Sequence, residues 1–184
     1  LETSKLADII GRLREIEHVQ IVRIGSRMPA FNPYRILGDA DLLKIVRQYS
    51  TMHKKIYLMT HFIHPRELTD VAIQAVSLLQ KAGAVTANQA PLLRGINDDP
   101  RVLAELLRKL SFIGDAPYYV FQCRPAVGNR MYTVPIEEGY DIVEQAKSLI
   151  SGLAKRVRYT MSHSSGKIEI VGKSGGQIFL KYHR

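Results

Sequence analysis

Lys167, in the run Ser164-Ser165-Gly166-Lys167-Ile168-Glu169-Ile170, is the residue of this chain best placed for covalent chemistry. It follows small residues and opens an alternating apolar run, so its amine can project from the rim of a strand. A lysine held there can lose its proton and form a Schiff base with an aldehyde such as pyridoxal phosphate. The same spacing also suits a solvated lysine in a turn. Other polar side chains recur at comparable positions. Arg23, Ser26 and Arg27 follow one apolar run, and Thr60, His61 and His64 the next. Asn88 and Gln89, with Arg94 further on, follow a third; Gln122, Cys123 and Arg124 follow a fourth; Ser162 to Ser165 lead into Lys167.

Hydrogen-bonding groups at successive strand ends argue for a polar ligand seated across one rim. Each group also has a structural role open to it. Arg124 suits a carboxylate or phosphate clamp, or a surface ion pair. His61 and His64 have the spacing of a metal pair but lack a third ligand, and no metal site is expected. Asn88 and Gln89 are suited to capping loop backbone. Cys123 reads as a small buried hydrophobe. Ser164-Ser165-Gly166 is either an anion-binding nest or an ordinary turn.

The elements that must carry these residues alternate along the chain. Leu6, Ile9, Ile10, Leu13 and Ile16 fall at helical spacing, and Val19–Ile24 alternates as a strand. Pro29 and Pro33 predict an irregular loop, after which Asp39 caps a helix carrying Leu42, Leu43, Ile45 and Val46. Ile56–Thr60 is a strand, a helix follows from Glu67 or Thr69 to a stop at Gly83, and Ala84–Ala87 is a short strand. Asp98-Asp99-Pro100 opens a helix, Tyr118–Cys123 is a strand, and Pro135–Leu153 reads as one long helix. Val157–Tyr182 is strand-rich, with glycine turns at Gly172, Gly175 and Gly176. Such alternation predicts an α/β fold of βαβ units on a parallel sheet, a partial parallel (β/α) barrel, with a β-rich tail. The expected division is residues 1–156 for the barrel part and 157–184 for the tail carrying Lys167.

Composition narrows the setting. The chain has 184 residues, 46% hydrophobic, enough for a well-buried core. No apolar stretch approaches the roughly 20 residues that span a bilayer, and the first residues lack a signal-peptide pattern, so neither membrane nor secretion is expected. A single cysteine rules out an internal disulfide and points to a reducing cytoplasm. The net charge of +9 is spread along the chain without an RNA- or DNA-binding motif, and nucleic acid is not an expected partner. The first residue is not Met, and a half barrel leaves an open strand edge. The chain therefore reads as a fragment, and a homo-oligomer is expected.

Four long motifs occur in order: Ile-Val-Arg-Ile-Gly-Ser-Arg-Met-Pro (21–29), Thr-His-Phe-Ile-His-Pro-Arg-Glu-Leu (60–68), Asn-Gln-Ala-Pro-Leu-Leu-Arg-Gly-Ile-Asn-Asp-Asp (88–99) and Pro-Tyr-Tyr-Val-Phe-Gln-Cys (117–123). Together with Gly166-Lys167 they closely resemble the lysine 2,3-aminomutase family of radical S-adenosylmethionine enzymes, over about Glu15 to Ile170. The resemblance implies the second half of a radical S-adenosylmethionine, TIM-like barrel. It also implies pyridoxal phosphate, S-adenosylmethionine and a [4Fe–4S] cluster as cofactors. The implied reaction is a 1,2-amino migration on a small-molecule amino acid. Lys167 is then the Schiff-base lysine, while His61 and Gln89 contact S-adenosylmethionine.

Three departures from the family pattern stand out. The Cys-x3-Cys-x2-Cys cluster motif is absent, so this chain alone is expected to be inactive and the cluster ligands to lie outside it. A substrate-facing aspartate after Gln-Cys is Arg124 here, and a second is best matched by Ser162. Replacing carboxylate by guanidinium inverts the charge offered to the substrate, which predicts an acidic or neutral amino acid rather than lysine. The alternative is a non-catalytic relative that keeps the barrel half as a binding or assembly module.

Overall fold

The computed structural model describes residues 2–124 and 126–183; Leu1, Pro125 and Arg184 lie outside the described residues. Two compact units are present. Residues up to His61, with Glu67–Ala87, make the first, and Phe62–Arg66 with the residues from Asn88 onward make the second.

In the first unit the chain runs α1 (Thr3–Glu15), β1 (Ile21–Ser26), α2 (Met28–Phe31), α3 (Tyr34–Leu37), α4 (Ala40–Tyr49), β2 (Lys55–Thr60) and α5 (Asp70–Lys81). Strands β1 and β2 are parallel, in register from Ile21 opposite Lys55 to Ser26 opposite Thr60. The two longer helices beside β2, α4 and α5, start where a side chain satisfies a first N–H group: Asp39 accepts from Leu42 N at 2.9 Å and Thr69 from Ala72 N at 3.2 Å. Ile36, Val46, Leu58, Ala75 and Leu79 pack as the core, with Ile10, Ile45 and Ile56 beside α1.

The second unit continues from β3 (Val85–Leu92), whose first three residues belong to the first unit, through α6 (Pro100–Phe112), β4 (Ala116–Gln122) and α7 (Ile136–Ser148). It ends in β5 (Arg158–His163), β6 (Gly166–Ser174) and β7 (Gln177–His183). Strands β4 and β5 are parallel, whereas β5–β6 and β6–β7 are antiparallel. Helix α6 buries Leu103, Leu106, Leu107 and Leu110, a stripe at helical spacing. Leu92, Val120, Tyr159 and Ile170 meet Val143 and Ala146 of α7 in one core.

Several elements differ from the sequence expectation. The irregular loop around Pro29 and Pro33 is two one-turn helices, because proline is accepted in a first helical turn. The first strand lies two residues later, at Ile21–Ser26. The third strand runs on to Leu92, so Asn88 and Gln89 lie within it rather than past its end. The long fifth helix stops at Ser148; Ser151 is extended, Gly152 has φ +54°, and a 3-10 turn over Gly152–Arg156 follows. Gly172 is not a turn but sits at a bulge in β6. Among the described residues, no helix is long and apolar enough to cross a membrane.

Close approach of α7 to β5 rests on Gly139. A Cβ there would overlap the Tyr159 hydroxyl, which donates to Gln122 Oε1. Gln122 Nε2 in turn donates to Val134 O at 2.7 Å, so the end of β4 is tied both to β5 and to the approach to α7. Gly139→Ala is expected to lower stability by about 1–3 kcal/mol, read as a lower denaturant midpoint. Tyr159→Phe in the same chain should recover part of that loss, because the hydroxyl makes the nearest overlap. A neutral Gly139→Ala would show that the helix is free to move away.

Candidate functional site

The hairpin that carries Lys167 is built by its turn. His163 pairs with Gly166, leaving Ser164 and Ser165 as the connection, and Gly166 takes φ +128°. A positive φ after the turn is available to glycine at little steric expense. His163 Nδ1 accepts from Ser165 N at 3.2 Å and lies 2.8 Å from Ser165 Oγ. The Ser-Ser-Gly run is thus a side-chain-braced turn.

Beyond the turn, alternation sorts the side chains of β6. Ile168 and Ile170 are buried, Ile170 in the core against α7, so Lys167 and Glu169 project from the other face. The Lys167 amine lies 4.1 Å from the centroid of Tyr119 and 4.8 Å from that of Phe121. These alternate residues of β4 form an aromatic shelf, and a cation over such faces gains about 0.5–2 kcal/mol. Ser162 of β5 and His183 of β7 stand in register on either side of Lys167. Residues opposite one another in antiparallel strands share a face, so all three project the same way.

Glu169 extends this face. It is in register with Thr160 on β5 and Lys181 on β7, and its Oε2 lies 2.9 Å from His183 Nε2. The Thr160 hydroxyl is wholly buried and has no hydrogen-bond partner among the described residues. Burial first, then the hydrogen bond to Tyr118 at 3.1 Å, pushes the Tyr119 phenol up to about 12; nearby Glu169 adds to the rise and Arg158 opposes it. The shelf is therefore uncharged at neutral pH.

Gln89 is half-buried on β3, between the buried Asn88 and Ala90. Asn88 takes the structural role: its Oδ1 accepts from Phe62 N at 2.8 Å and its Nδ2 donates to Phe62 O at 3.1 Å. Cys123 is buried, and burial pushes its thiol up, as befits a small hydrophobe. Arg124 is exposed just past β4, its carbonyl accepting from Asn129 Nδ2 at 2.7 Å. Of the sequence candidates, Lys167 and Ser162 are brought side by side.

His61, in the first unit, follows β2 and is half-buried. Burial and the Arg27 guanidinium hold its ring below the ordinary imidazole range, with Glu67 opposing. Arg27 is itself fixed, stacked 4.1 Å over the Phe31 ring and donating to Glu67 Oε1 at 3.1 Å. A neutral imidazole offers one donor and one acceptor nitrogen, which suits a polar ligand. Among the described residues, no group of three His, Cys, Asp or Glu side chains could hold a metal ion.

Sequence reasoning did not single out Tyr119, Phe121, Thr160, Glu169 or His183. Period-two alternation through Tyr118-Tyr119-Val120-Phe121 and Lys167-Ile168-Glu169 carries the signal for three of them, and Thr160 needs the β5 register. His183 needs the β7 register, which begins at a Gly175-Gly176 turn with φ +57° and +74°.

No protein-family model matches the chain. Curated relatives do. A protein of Aquifex aeolicus (strain VF5), provisionally named L-lysine 2,3-aminomutase, is 57% identical over 100% of this chain and 50% of its own length. The L-lysine 2,3-aminomutase of Clostridium subterminale is 42% identical over 78% of this chain and 33% of its own length. The glutamate 2,3-aminomutase of Clostridioides difficile (strain 630) is 35% identical over 84% and 35%. The chain spans half or less of the length of these relatives.

The His61 environment makes a testable statement about pH. The folded chain holds His61 neutral where the unfolded chain would already be protonated, so its contribution to stability is present above the ordinary imidazole value. That contribution is lost as pH falls from there through the lower folded value. The His61 ring resonances should titrate below pH ~6.5 in NMR spectra. Arg27→Gln should move that midpoint upward, though not the whole way, because burial is the larger cause. A midpoint that ignores Arg27 would show that the two groups do not sense each other.

Proposed function

Because this chain belongs to the lysine 2,3-aminomutase family, we propose that it carries the pyridoxal-lysine portion of an amino acid 2,3-aminomutase. Such an isomerase moves an amino group between adjacent carbons of a small-molecule amino acid. One observation carries the reading: the Lys167 amine lies over the Tyr119 and Phe121 rings, on a face it shares with Ser162. An amine beside flat aromatic surfaces and a hydroxyl is a donor set that fits a planar aldehyde cofactor.

Pyridoxal phosphate, when bound, supplies the carbonyl carbon and the electron-withdrawing ring. The chain's own residues do the rest of the work assigned here. Lys167 would hold the carbonyl carbon of that group through its own Nζ, the nitrogen staying on the lysine throughout. Tyr119 and Phe121 keep water from one side of that nitrogen and fix its direction. Gln89 and the neutral ring of His61 are the groups we assign to S-adenosylmethionine. A [4Fe–4S] cluster does not fit the residues of this chain, since three thiolates are needed and Cys123 is its one, buried, cysteine. No step through a cluster is assigned.

For the substrate we propose an acidic or neutral amino acid. Arg124 offers two parallel donors to a carboxylate and repels an ammonium, and Ser162 is uncharged. Lysine is the competing substrate, supported by the names of the relatives at 57% and 42% identity. The cytoplasm, the usual setting for a chain with an unpaired cysteine, is the proposed compartment.

Two measurements on the full-length protein test this reading. Adding pyridoxal phosphate should produce the visible band of a lysine-bound cofactor, and Lys167→Ala should abolish it; an unchanged band in the variant would refute the assignment. Failure of the wild type to develop the band would favour a binding module that does no chemistry. In product analysis, glutamate or a neutral amino acid should be converted at least ten-fold better than lysine in kcat/KM. Efficient formation of β-lysine would overturn the substrate proposal.

A further inference from the structure

On its own face, Lys167 has Glu169 and His183 as its neighbours along and across β6 and β7. Glu169 lies two residues on along β6, and His183 lies directly across on β7. A carboxylate two residues from an amine on one strand face is within reach of it, and a nearby negative charge favours the protonated form. A protonated amine is not a nucleophile. Glu169, however, is engaged from the other side: its Oε2 is 2.9 Å from His183 Nε2, and both side chains are only about one-fifth exposed, at 20% and 22%.

From this geometry we propose that His183 is a positioning residue for Lys167. By donating its ring N–H to Glu169, it draws the carboxylate toward β7 and weakens its hold on the Lys167 proton. This deepens the pyridoxal-lysine reading of the site and rests on it. The other charged groups on this face are Arg158 of β5, near Tyr119, and Lys181 of β7, in register with Glu169; the Tyr119 phenol is neutral. Arg158 and Lys181 act on Lys167 in the same sense as His183, by opposing Glu169, but neither carries a pairing equivalent to the 2.9 Å contact.

The test needs no cofactor. In the full-length protein, reductive methylation of lysine amines across a pH series, quantified peptide by peptide by mass spectrometry, reports how readily Lys167 reacts. His183→Ala should slow labelling of Lys167 at neutral pH by about ten-fold, equivalent to a shift of about one pH unit in its labelling profile. Other lysines serve as internal controls for folding and reagent. His183→Gln, whose amide still donates to Glu169, should label within about two-fold of wild type. Glu169→Gln should speed labelling, and adding His183→Ala to it should change nothing further. The proposal is wrong if His183→Ala leaves Lys167 unaffected, or if it slows labelling equally with Glu169 already neutral. A cofactor band that survives Lys167→Ala would defeat the pyridoxal reading on its own, while the labelling series would still decide whether His183 acts through Glu169.

Discussion

Strand alternation is the constraint on which the site depends. Side chains of β6 point to opposite faces in turn, so a one-residue slip against β5 would carry Lys167 from the aromatic shelf into the helix-covered core. Two features prevent the slip. Ile168 and Ile170 are buried, and exchanging them with Lys167 and Glu169 would bury two charges. The turn supplies the second lock, since the backbone at Gly166 is one that other residues seldom adopt. Direction is thus imposed on the amine by hydrophobic burial on the far side of its own strand.

The same division of labour holds one strand away. Tyr159 faces the helices, with its hydroxyl on Gln122 and its ring against the gap left by Gly139, while its neighbours Arg158 and Thr160 take the other face. Polar groups on the Lys167 face are accordingly placed by backbone pairing, and the pairing brings Glu169 to His183. The buried Thr160 hydroxyl has no hydrogen-bond partner among the described residues, and leaving a donor unmet inside a protein costs about 1–3 kcal/mol.

Much of this was legible in the residues themselves. Helical spacing around Val71–Leu79 and Val102–Leu110, and the caps at Asp39 and Asp99, marked real helices, because burial and capping act locally. The strand-rich character of the tail was legible, and of the two readings of Ser164-Ser165-Gly166 the turn is the one that the β5–β6 pairing shows. What stayed hidden depended on pairing between distant segments. Strand β3 outran its apolar start and runs through Asn88, Gln89 and Pro91 to Leu92. The helix expected to reach Leu153 ended five residues earlier, where Ser151 and Gly152 favour other backbone shapes. Tyr119 was read as one residue of a strand; that it would lie under Lys167 follows only once β4, β5 and β6 are set side by side.

The irregularity in β6 divides that strand's labour. Val171 is the extra residue between Ile170, opposite Leu180, and Gly172, opposite Phe179, so facing reverses across it. Before it, Lys167 and Glu169 look toward the aromatic rings; after it, Lys173 reaches Asp141 on α7. The segment should therefore accept changes of residue type more readily than changes of length. Deleting the additional position would restore a regular ladder and turn one half of the strand inside out with respect to the other. In distant relatives, insertions and deletions are to be sought in the two glycine-containing turns rather than between Lys167 and Lys173.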